Sequence, residues 1–296
     1  MLFSSAMLTP LIFSVLEDDH NVVGFLSALG ITFFSGLLMW LPVRNASHDL
    51  RIRDGFLITS LFWTVLGLFG ALPFMLTDDL DMTPLSAIFE SISGLTSSGA
   101  TVIVGLDSLP RSILIYRQLL QWLGGIGIIV VAVAILPMLG IGGMQLYKAE
   151  TPGPSKDSKL TPRITETAKA LFTVYLALTI ACAIAYYIAG MTGFDAIAHA
   201  FSTVAIGGFS THDASMGYFD NDNILLVCSL FMCISAVNFG LHFMAWRRRS
   251  LGLYSGDPET RFFFGVLSVC IVVTCAYLMF THTLNTRESV IHGLFQ

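Results

Sequence analysis

Long apolar runs alternate with short polar connections along this chain, and two of the connections carry a shorter apolar pattern of their own. The long runs are Leu2–Leu16, Asn21–Val43, Gly55–Leu76, Ile113–Leu139, Lys169–Ala189, Asn223–Trp246 and Phe262–Phe280. All but the first reach the span of about 20 predominantly apolar residues that a membrane-crossing helix needs. Pro84–Leu95 lies between the third and fourth runs, and Asp195–Val204 between the fifth and sixth. The first of these short stretches is about 12 residues, or roughly 18 Å of helix, too little for a hydrocarbon core of about 30 Å. Each is amphipathic and leads into small residues and glycine. The pattern predicts an all-α polytopic membrane protein with two re-entrant units, each a helix, a pore helix and a second helix.

The two short stretches align without a gap. Ser86–Ala100 falls on Asp195–Phe209, which sets Ala87-Ile88 on Ala196-Ile197, Ser93 on Ser202 and Gly99 on Gly208. Thr83-Pro84 predicts the start of the first pore helix, with threonine as cap and proline at the first helical position. A short helix that enters from one face ends near the midplane, and its C-terminal partial negative charge favours a cation there. Beyond it, Thr96-Ser97-Ser98-Gly99-Ala100-Thr101 has no apolar bulk. Irregular backbone at that depth has to be buried in protein or face water. Rings of backbone carbonyls are the known substitute for the hydration shell of an alkali cation. Gly99 and Gly208 tolerate backbone angles denied to other residues, and the hydroxyls of Thr96, Ser97 and Ser98 add support or ligands. A single copy would equally describe a tight Gly/Ser turn between helices; two aligned copies predict a pair of ion filters.

Composition and charge extend this picture. With 54% hydrophobic and 12% charged residues, and a mean hydropathy of +0.75, the chain is too apolar for an ordinary soluble domain. Of 15 lysines and arginines, all but Arg111, Arg117 and Arg287 fall in alternate connections or at their helix ends. The opposite connections carry only Arg111, Arg117 and Arg287 and hold most of the acids, among them Glu17, Asp18, Asp19, Asp78, Asp79, Asp81, Asp107, Asp213, Asp220 and Asp222. Basic loops stay cytoplasmic, so the N-terminus is expected inside, with both re-entrant stretches entering from outside. That topology closes only if neither stretch crosses the membrane. No basic segment or small-residue cleavage site marks a signal peptide. The five cysteines (Cys182, Cys228, Cys233, Cys270, Cys275) lie in apolar runs without metal-ligand spacing and read as small core residues.

The motifs around these features resemble the Trk/Ktr potassium transporters, in particular the bacterial TrkH-type pore subunits. The resemblance is carried by Thr96–Asp107, Tyr116-Arg117-Gln118 with Gln121-Trp122, Gly124-Gly125-Ile126-Gly127-Ile128, Ile135-Leu136-Pro137, Gly140–Gln145, Pro152-Gly153-Pro154 and Ile206–Asp213. It implies four helix–pore helix–helix repeats around one pseudo-fourfold pore, preceded by an N-terminal helix hairpin. On that footing residues 1–48 are the hairpin, 49–148 and 149–250 the first two repeats, and 251–296 the start of a third. The third unit would begin at His292-Gly293-Leu294-Phe295-Gln296, aligned with Ser86–Glu90, so the sequence is expected to be part of a longer protein.

The same resemblance places K+, as the transported ion, at Thr96, Ser97, Ser98 and Gly99 and at Ala205, Ile206, Gly207 and Gly208. Ser97, Ser98, Ile206 and Gly207 are its foremost carbonyl donors, and no covalent cofactor is implied. It further implies a bacterial inner-membrane protein, a homodimer in lipid, and a cytosolic nucleotide-binding regulatory subunit (a TrkA-like ring) that meets the loop Gly140–Thr167. No nucleic-acid partner is expected. Glu90 and His199 occupy matching positions on the two pore helices. Glu90 either stabilises a cation through the mouth or anchors the filter by hydrogen bonds, and His199 reads as a hydrogen-bonding packer. Asn238 and His242, four apart, read as an interhelical polar contact. The glycines at 124, 125 and 127 serve close packing or a gating bend. Two other classes remain: a non-selective monovalent-cation transporter, since each filter has one glycine and no TVGYG signature, and a non-conducting scaffold. An enzyme is disfavoured by the lack of HExxH, a Gly-x-Ser-x-Gly elbow or clustered intramembrane Asp.

Overall fold

The computed structural model of the chain describes residues 1–45, 52–134, 160–281 and 286–295. Ile135-Leu136-Pro137, Gly140–Gln145, Pro152–Pro154 and the basic residues Arg51, Lys148, Lys156 and Lys159 lie outside the described residues, as does Gln296. The described chain is all helical. A 3-10 turn, Leu2–Met7, leads into α1 (Leu8–Glu17), followed by α2 (Val22–Trp40). The first unit comprises α3 (Ile52–Gly70), the short α4 (Leu72–Leu76), the pore helix α5 (Pro84–Leu95) and the outgoing helix α6 (Arg111–Ala134). The second comprises α7 (Leu160–Ala189), the pore helix α8 (Gly193–Val204), and α9 (Asp222–Ala236) with α10 (Phe239–Arg248). The turn α11 (Gly252–Gly256), α12 (Pro258–Phe280) and α13 (Thr286–Phe295) complete the order.

Among the described residues three helices are long and apolar enough to cross a membrane, Val22–Val43, Ala168–Ala189 and Pro258–Phe280. The bent pair α9 and α10 makes a fourth if it is one span. That pair corrects the expected straight run Asn223–Trp246, because the chain turns by 89° between the two helices. Asn238 makes no interhelical hydrogen bond among the described residues: its side chain caps α10 by accepting from Gly240 N at 2.8 Å. His242 spans the break, with Nε2 donating to the Ile234 carbonyl and Nδ1 paired with the Tyr254 hydroxyl, both at 2.8 Å. Cys182 and Cys228 are buried as expected, whereas Cys270 is exposed on α12.

Among the described residues two apolar cores form, one per unit. Met7, Phe25, Phe74, Ala87, Leu95 and Tyr116 join the hairpin to the first unit, and Tyr175, Cys182, Tyr186, Ala200, Ile224 and Cys228 fill the second. The helix α6 belongs to both: Ile113, Leu114 and Leu120 face the first core, while Trp122 and Ile126 pack on the second. Trp122 is fixed there by Nε1–H donating to Thr179 Oγ1 and by the Tyr175 hydroxyl donating to its carbonyl, each at 3.0 Å. At the start of α6, Arg111 pairs with Glu17 at 3.0 Å, and Ser112 donates to Asp19. Asn21 Nδ2 donates to Asp79 at 2.6 Å. These contacts gather Glu17, Asp19 and Asp79 at one end of the bundle.

The glycines of α6 are packing residues in this arrangement. A Cβ on Gly124 would fall 2.0 Å from the Leu95 carbonyl oxygen, at the last residue of the pore helix. One on Gly125 would meet the Tyr175 hydroxyl at 2.4 Å, and one on Gly127 the Phe62 ring at 2.8 Å. A backbone carbonyl cannot rotate aside as a ring can. Gly124→Ala is therefore expected to lower stability by about 1–3 kcal/mol, the scale of overpacking, and more than Gly127→Ala. Thermal unfolding of the detergent-purified variants checks the order; equal midpoints for Gly124→Ala and wild type would remove α6 as the wall behind the pore helix.

Candidate functional site

The two pore helices are built by the same local rules. Thr83 caps α5 by accepting from Ser86 N at 3.2 Å, and Thr192 caps α8 by accepting from Asp195 N at 3.1 Å. Both threonines have extended backbone, and both caps add a side-chain bond three residues on, to Ser86 Oγ and to Asp195 Oδ2. Satisfying the free N–H groups in this way starts each helix sharply. The C-terminal exits also match. Thr96, Ser97 and Ser98 N–H donate to Ile92, Gly94 and Ser93 carbonyls; Ala205, Ile206 and Gly207 N–H donate to Phe201, Thr203 and Ser202 carbonyls.

Beyond each pore helix the backbone takes the same unusual course. Ser97 and Ile206, which align, both have φ of 53°, and the aligned Gly99 and Gly208 have φ of 75° and 82°. Glycine adopts this left-handed region freely. Serine does so rarely, and β-branched isoleucine is a genuine outlier there. Such residues cost on the order of 1–3 kcal/mol each and persist only where the surroundings hold them. Thr96, Ser98, Ile206 and Gly208 are exposed, Ser97, Gly99 and Ala205 partly buried, and Gly207 buried. The segments touch, because a Cβ on Gly99 would lie 2.2 Å from the Gly207 carbonyl oxygen. The structure thus brings the eight candidate positions together as two adjoining loops.

A buried ion pair stands behind them. Glu90 and Arg117 are both fully buried and meet at 2.9 Å. Glu90 also accepts from Thr101 Oγ1 at 2.9 Å and from Val102 N at 3.0 Å. Arg117 uses its remaining arms on Thr101 Oγ1 and on the Ser210 carbonyl, each at 3.0 Å, and its guanidinium lies 4.4 Å from the Phe209 ring centre. The pair thereby joins the exit of the first loop to the exit of the second. Glu90 is thus ion-paired to Arg117 and hydrogen-bonded to the exit of the first loop. Arg117, counted among the loop charges on sequence grounds, is a buried residue of α6 instead.

His199 takes the place of Glu90 in the second unit. Its Nδ1 donates to the Asp195 carbonyl and its Nε2 pairs with Ser210 Oγ, both at 2.9 Å. Thr101 and Ser210 align, and each hydroxyl then accepts the N–H two residues on, Ile103 at 3.1 Å and His212 at 3.1 Å. These hydroxyls lie one residue past the aligned stretch Ser86–Ala100, and carrying the alignment one step further pairs them. Gln121, which the sequence offered only as part of a motif and without a site role, lies four residues from Arg117 on the same face of α6. Gln121 Nε2 donates to the Gly207 carbonyl at 2.7 Å, and its Oε1 accepts from Phe209 N at 3.1 Å.

A second bridge joins the loops at the acidic end. His212 Nδ1 lies 2.5 Å from Asp107 Oδ1 and its Nε2 3.5 Å from Asp195 Oδ1, while Gly105 N–H donates to Asp213 at 3.0 Å. The imidazole stacks on Tyr218 with ring centres 3.5 Å apart. The hydrogen bond from His212 holds the Asp107 carboxyl below its ordinary value of 3.8.

Two predictions come from these contacts. Glu90→Gln or Arg117→Met alone is expected to destabilise by roughly 3–5 kcal/mol, because each strands a buried charge or its donors. The double variant should lose clearly less than the sum, and additive losses in a thermal-unfolding cycle would show that the pair is not coupled. A carboxyl with a lowered folded-state pKa gives stability that is present above its unfolded value and lost as pH falls through the folded one. The destabilisation caused by Asp107→Asn should therefore be constant above about pH 4 and shrink below it. A difference independent of pH down to acid unfolding would contradict the His212–Asp107 contact.

Known proteins share this architecture. Residues 24–293 match the TrkH family, described as cation transport protein. The chain is 58% identical over 296 residues to the Trk system potassium uptake protein TrkH of Halomonas elongata, covering 100% of this chain and 61% of that protein. It is 52% identical over 295 residues to the Trk system potassium uptake protein TrkH of Escherichia coli K12, with the same coverage. The crystal structure of the potassium transporter TrkH from Vibrio parahaemolyticus superposes with a TM-score of 0.90 at 50% identity, over 99% of this chain and 60% of that one. The chain thus spans about three-fifths of the length of these relatives. It is a polytopic, all-helical membrane protein and belongs to the TrkH family of cation transport proteins.

Proposed function

We propose that these residues form part of the pore of a bacterial potassium-uptake transporter, in which K+ moves through stacked backbone carbonyls without covalent chemistry. The observation that carries the reading is the pair of matched strained loops, with left-handed residues at 97 and 206 and again at 99 and 208. Two copies of a costly backbone, each at the C-terminus of a short pore helix, are hard to account for as packing. The negative end of each helix favours a cation at the loop it leads into. In this reading Thr96–Gly99 and Ala205–Gly208 supply two quarters of a pore, repeats 49–148 and 149–250 are its first half, and 251–296 opens the third quarter. Hairpin 1–48 braces the outside of the first repeat.

The acidic end, with Asp79, Asp107 and Asp213, faces the periplasm, and the basic connections face the cytosol, where a nucleotide-binding regulatory subunit docks. The relatives bear the name of a potassium uptake system, and the assembly is a homodimer on this reading. One glycine per filter implies weaker discrimination of K+ from Na+ than a filter of the TVGYG type gives.

The experiment uses the full-length parent in cells without other potassium uptake, comparing wild type, Gly99→Asp and Gly208→Asp by growth rescue and rubidium uptake. A Cβ on Gly208 meets nothing within 4 Å, so its carboxylate would project into open space beside the loop, while the one at Gly99 would also press on the Gly207 carbonyl. Both variants are expected to reach the membrane and to lose uptake by about tenfold or more, the scale of 1–3 kcal/mol of backbone strain alone. Normal rubidium uptake by both would end the filter assignment.

A further inference from the structure

We propose that Gln121, on the helix leaving the first unit, is a positioning residue for ion selection in the filter of the second. The proposal rests on the cation-transport reading above and names the residue that shapes one of its sites. Gln121 is fully buried, and its amide grips the second loop at two points. Nε2–H donates to the Gly207 carbonyl at 2.7 Å, and Oε1 accepts from the Phe209 N–H at 3.1 Å. The two points flank Gly208, the left-handed residue at φ 82°. Peptides on both sides of the bend are therefore fixed by one planar side chain. The fit is close: a Cβ on Gly207 would lie 2.4 Å from the Gln121 amide carbon. Only glycine at 207 leaves room for the clamp.

The first loop is held by other means. Ser93 Oγ donates to the Ala100 carbonyl at 2.5 Å and lies 3.4 Å from Ser98 Oγ. Ala100 aligns with Phe209 and Ser98 with Gly207. The matching serine of the second unit, Ser202, turns its hydroxyl back to the His199 carbonyl at 3.2 Å. The second loop thus receives from α6 the support that the first receives from its own pore helix. K+ and Na+ carry the same charge, so a carbonyl site separates them by the number, orientation and compliance of its oxygens. Fixing the Gly207 peptide at one oxygen and one N–H two residues on limits how far that loop can close around a smaller ion.

The test measures rubidium uptake and its competition by sodium for the full-length parent, with membrane levels from immunoblots. The variants are Gln121→Leu, Gln121→Glu and Gln118→Leu. Leucine removes both grips; glutamate keeps the acceptor for Phe209 N–H and sets a carboxylate against the Gly207 carbonyl. Gln118 is the control, because it is equally buried on α6 and its amide atoms have no hydrogen-bond partner among the described residues. Both Gln121 variants are expected to lower the ratio of sodium to rubidium KM by about tenfold, the scale of one or two buried hydrogen bonds, with Gln118→Leu unchanged. Wild-type discrimination by either Gln121 variant at wild-type membrane levels overturns the proposal. So does an equal loss in Gln118→Leu, and so does disappearance of both Gln121 variants from the membrane, which would make the residue one of folding. A wild-type parent that carries no rubidium sinks the transport reading itself, a separate result.

Discussion

The buried pair between Glu90 and Arg117 is the constraint on which the rest of this arrangement depends. Two charges at 0% side-chain exposure are tolerable in a membrane protein only when every donor and acceptor has a partner. Here the partners come from both units: Thr101 and Val102 from the first loop, Ser210 and the Phe209 ring from the second. Satisfying the charges therefore fixes the distance and angle between the two loops. It also explains why α6 carries Arg117 within an otherwise apolar helix, turned inward. Strained residues at 97 and 206 need such surroundings, since nothing in their own sequence favours the left-handed conformation.

Internal duplication has been kept in the backbone and allowed to drift in the side chains. Thr83 and Thr192 cap in the same way, and the hydroxyls of Thr101 and Ser210 do the same work at the loop exits. Glu90 and His199 reach those hydroxyls with different chemistry. A carboxylate in that position requires a buried cation, and Arg117 meets the requirement. Neutral imidazole is complete with the Asp195 carbonyl and Ser210. The substitution at one position of the repeat thus accounts for a buried arginine facing the carboxylate of the first unit.

Much of this was legible in the chain. The bounds Pro84–Leu95 follow from Thr83-Pro84 and the apolar spacing, because a cap and a fixed φ act locally and leave a local mark. The adjoining of Gly99 and Gly207 was not legible, since it depends on how two units meet. Arg117 was misplaced because a charge near a helix start resembles a loop charge; the rule that a charge inside an apolar run must be paired would have moved it inward. The 89° turn at Val237-Asn238 was hidden for a related reason. Apolar composition runs on across it, and the signal is a single capping asparagine that also fits an unbroken helix.

Because the Gly207 carbonyl serves Gln121 and abuts Gly99 at once, neither loop is a self-contained site. A side chain added at 99 presses on the backbone of the second loop, and a change at 121, on the first unit's helix, reshapes the second unit's loop without altering its sequence. A carbonyl cage selects an ion by the number and placement of its oxygens, whereas the packing that holds these two loops spans two units and one shared helix. On the proposed reading, the unit of selection is the pair of loops with α6 between them. An exchange of loop residues between the units, with Gln121 and the Glu90–Arg117 pair left in place, would transplant the sequence without the geometry.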